Sequence, residues 1–354
     1  MLTSHTARRL LIVGNDGGTN IGASLHRAAQ SMGVPCELSD TRRAYAGPKV
    51  LGRINWWLRD RRPTRLTSYS REVVDHCRHF KPTMLLATGL APLNRDALDE
   101  IRGMGITTAN YLTDDPWNPA FRSRWFFAAL GGYNRTFSVR RRNLDDLARA
   151  GCRDVQYLPF AVDRDLFYPE EPAPAERASF ESDLCFVGGA DTDRIPFIAA
   201  LMDAGMKVAV YGHYWDRYAE TRDAWRGHAP PEVLRKATQA ARVSLCLVRR
   251  ANRDGHTMRT FEVPAMGGCM LAEDTDEHRA LFGADGDAVR YFDSVGRMVD
   301  VARDLLSDGN ARNRLAAAGQ QIVTKGPHTY HDRLLAMLPA GVAAFAGDRE
   351  AVGL

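Results

Sequence analysis

The sequence predicts an α/β protein made of two parallel-sheet units, on three observations. Short apolar runs alternate with stretches of helical spacing along almost the whole chain, and that order builds parallel sheets because parallel strands need a crossover between them. The alternation breaks once, at the proline- and acid-rich run PFAVDRDLFYPEEPAPAERA (159–178), and then restarts. The length of 354 residues suits two domains of ordinary size.

The first unit opens with RLLIVGN (9–15), an apolar run ending in a glycine-rich turn, and IGASLHRAAQSMG (21–33) follows with Ile21, Leu25, Ala28 and Met32 at helical spacing. PCELSD (35–40) reads as a strand, SREVVDHCRHF (70–80) as a helix, TMLLATG (83–89) as a strand, RDALDEIRGMG (95–105) as a helix and TTANYLTDD (107–115) as a strand. RTFSVR (135–140), NLDDLARAG (143–151) and VQYLPF (155–160) continue the rhythm. The prolines of 159–178 read as a hinge or linker. Beyond it come SDLCFVGG (182–189), DRIPFIAALMDAG (193–205), KVAVYG (207–212), PEVLRKATQAA (231–241), VSLCLV (243–248), the helical run inside GHTMRTFEVPAMGGCMLAED (255–274), DEHRALFG (276–283) and AVRYF (288–292). Helices are expected across 294–320 and 329–339. Ligands of such sheets bind beyond the carboxyl ends of the strands, so a cleft between the two units is the expected site.

Composition narrows the class. The chain is 45% hydrophobic and 25% charged with a net charge of +4, a soluble globular profile rather than a disordered or fibrous one. MLTSHTARRLLIVGN has a four-residue apolar run before Gly14, far shorter than a signal-peptide core, and no stretch approaches the roughly 20 apolar residues of a membrane span. The six cysteines (Cys36, Cys77, Cys152, Cys185, Cys246, Cys269) show no metal-ligand spacing. A reduced, metal-free, cytoplasmic protein is expected.

Basic charge concentrates in residues 42–65, where Arg42, Arg43, Lys49, Arg53, Arg59, Arg61, Arg62 and Arg65 face Asp60 alone around Trp56 and Trp57. Such a run suits an acidic polymer, a nucleic acid or an anionic lipid surface. A solvated helix whose tryptophans pack on the domain accounts for it equally well.

Two loops of the first unit carry chemistry-bearing residues. GNDGGTN (14–20) lies between a strand and a helix, and its glycines permit close backbone approach to a ligand. It does not fit GxGxxG, although Glu37 and Asp40 stand where a ribose-binding acid would in a dinucleotide site, so NAD binding is a minor reading. YLTDDPWN places Asp114 and Asp115 at a strand end before a proline. Adjacent carboxylates can split their pKa values and leave one for proton transfer, whereas turn chemistry alone also explains Asp-Asp-Pro.

The run YLPFAVDRDLFYP resembles the segment that enters the second domain of GT-B glycosyltransferases. GHTMRTFEVPAMGGCMLAED, followed by DEHRALFG, AVRYFDS and HTYHDRLLAML, resembles the C-terminal half of the CgeB-like and group 1 glycosyltransferases. The resemblance covers roughly residues 155–335. It implies a GT-B fold of two Rossmann-like domains facing each other across a cleft: an acceptor-side domain over 1–160, a nucleotide-sugar-binding domain over 161–325, and a C-terminal helix and tail over 326–354 returning to the first. A nucleotide-diphosphate sugar would be the donor substrate, with no further cofactor and no metal. The acceptor would carry a hydroxyl, on a glycan, a lipid-linked glycan or a small molecule. No nucleic acid partner is expected, and residues 42–65 would be a peripheral contact with the inner face of the membrane.

The resemblance also assigns roles. Glu262 matches the second acid of the family's paired-acid motif, which accepts hydrogen bonds from ribose hydroxyls, and Asp254 stands at the first acid's position although the motif has Glu there. Thr257 as an N-cap would leave the amides near Met258 and Arg259 facing a diphosphate, aided by the helix dipole, worth about 0.3–2 kcal/mol. Arg249, Arg250 and Arg259, at roughly 1.5–3 kcal/mol per charged hydrogen bond, would outweigh it. Gly188, Gly189 and Arg194 in GGADTDR, Gly212 in YGHYW and His256 complete the donor side. Asn15, Gly17 and Gly18 would line the acceptor side, with Asp16, Asp114 or Asp115 as the base of an inverting reaction; a retaining reaction needs none. A nucleotide-sugar-binding protein without turnover and a sugar-nucleotide epimerase are the alternatives on the same fold.

Overall fold

A computed structural model of the chain describes residues 9–338, so the first residues of the leader reading and the end of the expected C-terminal tail lie outside the described residues. The chain divides into two compact units: one runs to Pro159 and resumes at Tyr330, and the other is Phe160–Thr329.

In the first unit the elements are β1 (Leu10–Gly14), α1 (Ile21–Ser31), β2 (Cys36–Asp40), α2 (Lys49–Leu58), α3 (Leu66–Phe80), β3 (Met84–Thr88), α4 (Arg95–Gly103), β4 (Thr107–Leu112), α5 (Arg124–Leu130), β5 (Arg135–Ser138), α6 (Leu144–Arg149) and β6 (Val155–Tyr157). The sheet is parallel, in the order β2-β1-β3-β4-β5-β6. Side chains alternate across a strand. Leu11 and Val13 therefore join Leu85 and Ala87 against Val73 and Cys77 of α3 and Leu98 and Ile101 of α4. Leu10 and Ile12 are as deeply buried, on the face that α1 covers. Burial on both faces explains why these strands read as continuous apolar runs.

The second unit follows with α7 (Pro174–Phe180), β7 (Ser182–Val187), α8 (Ile195–Asp203), β8 (Val208–Tyr211), α9 (Pro231–Ala240), β9 (Ala241–Cys246), α10 (Arg259–Ala265), β10 (Met270–Glu273), α11 (Asp276–Phe282), β11 (Arg290–Phe292), α12 (Val295–Ser307) and α13 (Gly309–Lys325). Its parallel sheet runs β11-β10-β9-β7-β8. Leu184, Phe186, Val208 and Val210 pack on Ile198 and Leu201 of α8 and Val301 and Leu305 of α12. Cys185, Ala209 and Tyr211 face Ala237 of α9. A last helix, α14 (Tyr330–Met337), packs on α1 of the first unit. There the carbonyl of Pro159 accepts from Arg333 Nε at 2.8 Å and from the Tyr111 hydroxyl at 2.7 Å.

Numbered from its own first strand, each sheet begins 2-1-3-4-5. The connections reverse between the first and third strands, and that switch point leaves a crevice at the carboxyl ends. In the second unit it falls between β7 and β9.

The run 159–178 is not a loose connector. Phe160, Ala161, Val162 and Phe167 are buried, and Arg235 of α9 holds the Leu166 carbonyl at 2.9 Å and the Glu170 carboxylate at 2.5 Å. Its last residues begin α7, where Pro174 occupies a first-turn position that has no use for an N–H. Two further helices are α2, within the basic run 42–65, and α5, in a stretch given no element from the sequence.

Candidate functional site

Three loops meet at the carboxyl ends of β7, β9 and β10. After β7 the chain runs through Gly188 and Gly189 to Asp191, Asp193 and Arg194; after β9 it runs through Arg249, Arg250 and Asp254 to α10; β10 ends in Glu273. Arg194 donates to the Gly189 carbonyl at 3.2 Å and to the Leu247 carbonyl at 3.4 Å, which ties the first loop to the second. Arg249 grips Asp191 through Nε at 3.0 Å and Nη2 at 3.3 Å. Arg250 reaches Glu273 at 2.6 Å and Asp193 at 3.5 Å. The switch point of this sheet is therefore closed by ion pairs between residues far apart in sequence.

Three arginines expected in one role divide into two kinds. Arg194 is buried, with burial holding its pKa below the usual guanidinium value, and it is bound to two backbone carbonyls. Those two bonds, with an ion pair to Asp191 at 3.3 Å, hold the loops together and leave Nε buried without a hydrogen-bond partner. The side chains of Arg249 and Arg250 are 34% and 50% exposed. The pairs of Arg249 with Asp191 and of Arg250 with Asp193 have water around them and are worth about 0–1 kcal/mol each, whereas the second contact of Arg250, with Glu273, is to a buried carboxylate.

Glu273 was missed by sequence reasoning, as were Asp191 and Asp193. Its carboxylate is buried, accepts from the Val248 amide at 2.6 Å, and has its pKa raised by burial. The signal available was an acid closing the apolar strand MLAE.

Gly212, after β8, backs the same ridge. At φ +142°, a β-carbon there would lie 2.2 Å from the Gly188 carbonyl oxygen, so only glycine lets the two loops meet. Trp215 Nε1 donates to that same oxygen at 2.8 Å.

The segment leading into α10 differs from expectation at its cap. Met258, not Thr257, is the N-cap residue, and the Thr257 amide donates to Thr260 Oγ1 at 3.0 Å. The Thr260 hydroxyl in turn meets Nε2 of His278 at 2.9 Å, and His278 Nδ1 meets the Glu273 carbonyl at 2.8 Å. A carbonyl can only accept, so Nδ1 carries the proton and Nε2 accepts. His256 is similarly committed: Nε2 accepts from the Phe160 amide at 3.1 Å, and Nδ1 faces Glu277 Oε2 at 2.5 Å. The imidazole anchors its loop to the start of the unit. Glu262 is buried on α10 and ion-paired with Arg259 one turn earlier, while Asp254 is half-buried and its charge acts on Arg194. Pro264 does not break α10, which ends at Ala265.

Burial pushes the pKa of His278 down from 6.5 to about 4. Between those values the unfolded chain binds a proton that the folded chain refuses, so stability is lost as pH falls through that window, by about 3 kcal/mol in full. The melting temperature of the wild type is expected to drop more steeply from pH 6.5 to 4 than that of His278→Gln, a comparison in which the other titrating groups cancel. Parallel curves would show that another group carries the acid sensitivity.

In the first unit the two expected aspartates part company. Asp115 is buried in the turn, its Oδ1 accepting from the Trp117 amide at 3.0 Å and from Asn143 Nδ2 at 3.4 Å. Those bonds to Oδ1 hold the turn. Asp114 is half-buried beside Gly89, where an added β-carbon would come within 3.2 Å of Oδ2. Asn15, Asp16, Gly17 and Gly18 are exposed in the loop after β1, with Asn20 Nδ2 closing it on the Gly17 carbonyl at 2.8 Å.

The fold and site define a class: a two-unit α/β protein whose second unit gathers partly exposed guanidinium groups at a strand-switch crevice. Residues 194–339 match a family described as glycosyl transferase-like. The chain is similar in structure to sucrose-phosphate synthase from Thermosynechococcus elongatus, at 11% identity and TM-score 0.67 over 93% of this chain and 97% of that one. It is similar to the Anabaena protein HepE, solved in complex with UDP and glucose, at 11% identity and TM-score 0.61 over 93% and 98% of the two chains. A putative UDP-N-acetylglucosamine 2-epimerase from Listeria monocytogenes matches less well, at 11% identity and TM-score 0.55 over 90% and 94%. No curated protein matches the chain in sequence. Residues 194–339 thus resemble the glycosyl transferase-like family, and the chain as a whole has the two-unit GT-B fold of these structures.

Proposed function

We propose that the chain transfers a hexosyl group from a nucleotide-diphosphate sugar to a hydroxyl-bearing acceptor without a metal ion, as a CgeB-like member of its group acting in the cytoplasm. The observation that carries this reading is the pair Arg249 and Arg250, partly exposed beside the switch point and each paired with an aspartate that is itself partly exposed. With Arg259 they neutralise the charge that develops on the departing diphosphate, the part a metal plays elsewhere. Gly188, Gly189 and Gly212 allow the backbone to approach the phosphates. Glu262 accepts from ribose hydroxyls, and Asp254 contacts the sugar. In an inverting reaction Asp114 takes the acceptor proton; in a retaining one it stands aside. Glycan, lipid-linked glycan and small-molecule acceptors all supply the hydroxyl, and a lipid-linked one fits the exposed basic helix α2.

Calorimetry against UDP, GDP, dTDP and their glucose conjugates tests the donor site, uridine first because HepE was solved with UDP. One nucleotide family is expected to bind. Arg250→Ala is expected to weaken that binding about 10–100-fold, the worth of one charged hydrogen bond. Failure of every nucleotide to bind would remove the reading. Turnover of the donor to its epimer without any acceptor would favour the epimerase instead, and tight binding with no turnover a binding protein.

A further inference from the structure

We propose that α2 and the basic corner that follows it form a docking face for an anionic lipid bilayer surface. The inference stands apart from the donor site, since every residue it uses lies in the first unit. At 100° per residue, Trp57, Val50, Ile54, Leu58 and Leu51 fall within an arc of about 120° on one side of α2. A helix in a water-soluble protein turns such an arc to the core. Here it faces outward: Val50 is 68% exposed, Leu51 43%, Ile54 42%, and Trp57 and Leu58 79% each. The only buried residue of the helix is Asn55, about 40° beyond the edge of the arc.

The helix is held in that orientation at its C-terminal end. Asp60 and Arg61 take left-handed backbone angles, φ 54° and 58°, and Arg61 donates to the carbonyls of Pro119 at 2.8 Å and Arg122 at 2.9 Å. Its guanidinium also lies 5.6 Å from the Trp56 ring, which keeps that tryptophan off the apolar arc.

Charge decides what covers the face. Arg42 pairs with Asp40, and Arg43 and Arg65 share Glu72, so the charge of those three is largely offset. Among the described residues, no carboxylate pairs with Lys49, Arg53 or Arg59, and Arg62 bonds a threonine hydroxyl. Lys49 and Arg53 flank one edge of the arc, and Arg59 and Arg62 follow its end. An outward apolar arc bordered by free cations matches the boundary between acyl chains and anionic headgroups, where the arc sinks a few ångströms and the cations stay at phosphate level. A nucleic acid would use the cations but give Val50, Leu51, Ile54 and Leu58 nothing to bury against. No helix among the described residues is long and apolar enough to cross a membrane, so the contact is with one surface.

Co-sedimentation of the full chain with phosphatidylcholine vesicles, with and without phosphatidylglycerol, tests the proposal in the absence of nucleotide, so its outcome is independent of the donor reading. Partition is expected to be about tenfold or more stronger onto the anionic vesicles and to fall with added salt. The double variant Trp57→Ser/Leu58→Ser is expected to lose it about tenfold or more, and Lys49→Gln/Arg53→Gln/Arg59→Gln to lose the preference for anionic lipid. Because the substituted side chains face solvent, the melting temperature should stay unchanged, which separates loss of the face from loss of the fold. Absence of partition by the wild type, or partition unchanged in the double variant, would overturn the proposal. So would a dimer in buffer that dissociates in the double variant while neither protein binds vesicles, since the face would then be covered by a second copy of the chain.

Discussion

Glutamine in place of Glu262 is expected to weaken donor binding about 10–150-fold, with little effect on a dideoxynucleotide, which lacks the ribose hydroxyls. The carboxylate is buried within α10 and paired with Arg259, whose side chain is 24% exposed. Removing its charge takes away a charge-assisted acceptor, worth roughly 1.5–3 kcal/mol, and frees Arg259 from the position the pair imposes. Because Arg259 is open to water on one side, the loss of fold stability should be smaller than the roughly 3–5 kcal/mol typical of a fully buried pair. The double variant Glu262→Gln/Arg259→Gln separates the effects: it removes the unpaired cation and should recover part of the stability, but none of the binding. Calorimetry and thermal melts on the three variants measure both quantities. Unchanged donor affinity in Glu262→Gln and in Arg259→Gln would mean that the donor sits elsewhere.

Alanine at Gly212 should be more damaging to the fold than any other single methyl group at the site. Its β-carbon would stand 2.2 Å from the Gly188 oxygen, on a backbone at φ +142°. Relief by movement is blocked: the Gly212 amide is bound to the Gly227 carbonyl at 2.8 Å, its carbonyl to Trp225 Nε1 at 2.9 Å, and the Gly188 carbonyl to Trp215. A cost of about 3–5 kcal/mol is expected, which lowers the melting temperature of the second unit by about 10 °C. Gly17→Ala makes the comparison. That glycine also has a positive φ, +73°, but no atom lies within 4 Å of where the β-carbon would go, so only the backbone term of about 1 kcal/mol remains. Similar melting temperatures for the two variants would show that the Gly188 contact is not tight.

The alternation that announced two α/β units survives in the structure almost element for element because it reports on neighbours in the chain. A strand buried on both faces must be apolar throughout, and a crossover helix must repeat at its own period. The exceptions are informative. The proline run 159–178 reads as a linker from composition, yet Phe160 and Phe167 lie in the core and Arg235, seventy residues away in round terms, staples it down. The helix α2 defines no buried face because it has almost none.

The sequence by itself determined where chemistry could occur: strand ends followed by glycines, aspartates and arginines, with the short run around Arg259 and Glu262 marked by polar residues that a core helix does not need. Only the tertiary structure decided which of those residues are available. It paired Arg249 with Asp191 and Arg250 with Glu273, buried Arg194 among carbonyls, committed Asp115 to a turn while leaving Asp114 beside Gly89, and turned the apolar side of α2 to solvent. The physical reason is range. Periodicity and turn chemistry act over a few residues, whereas the partner that satisfies a charge comes from another strand of the sheet, and only the order in which strands assemble brings the two together.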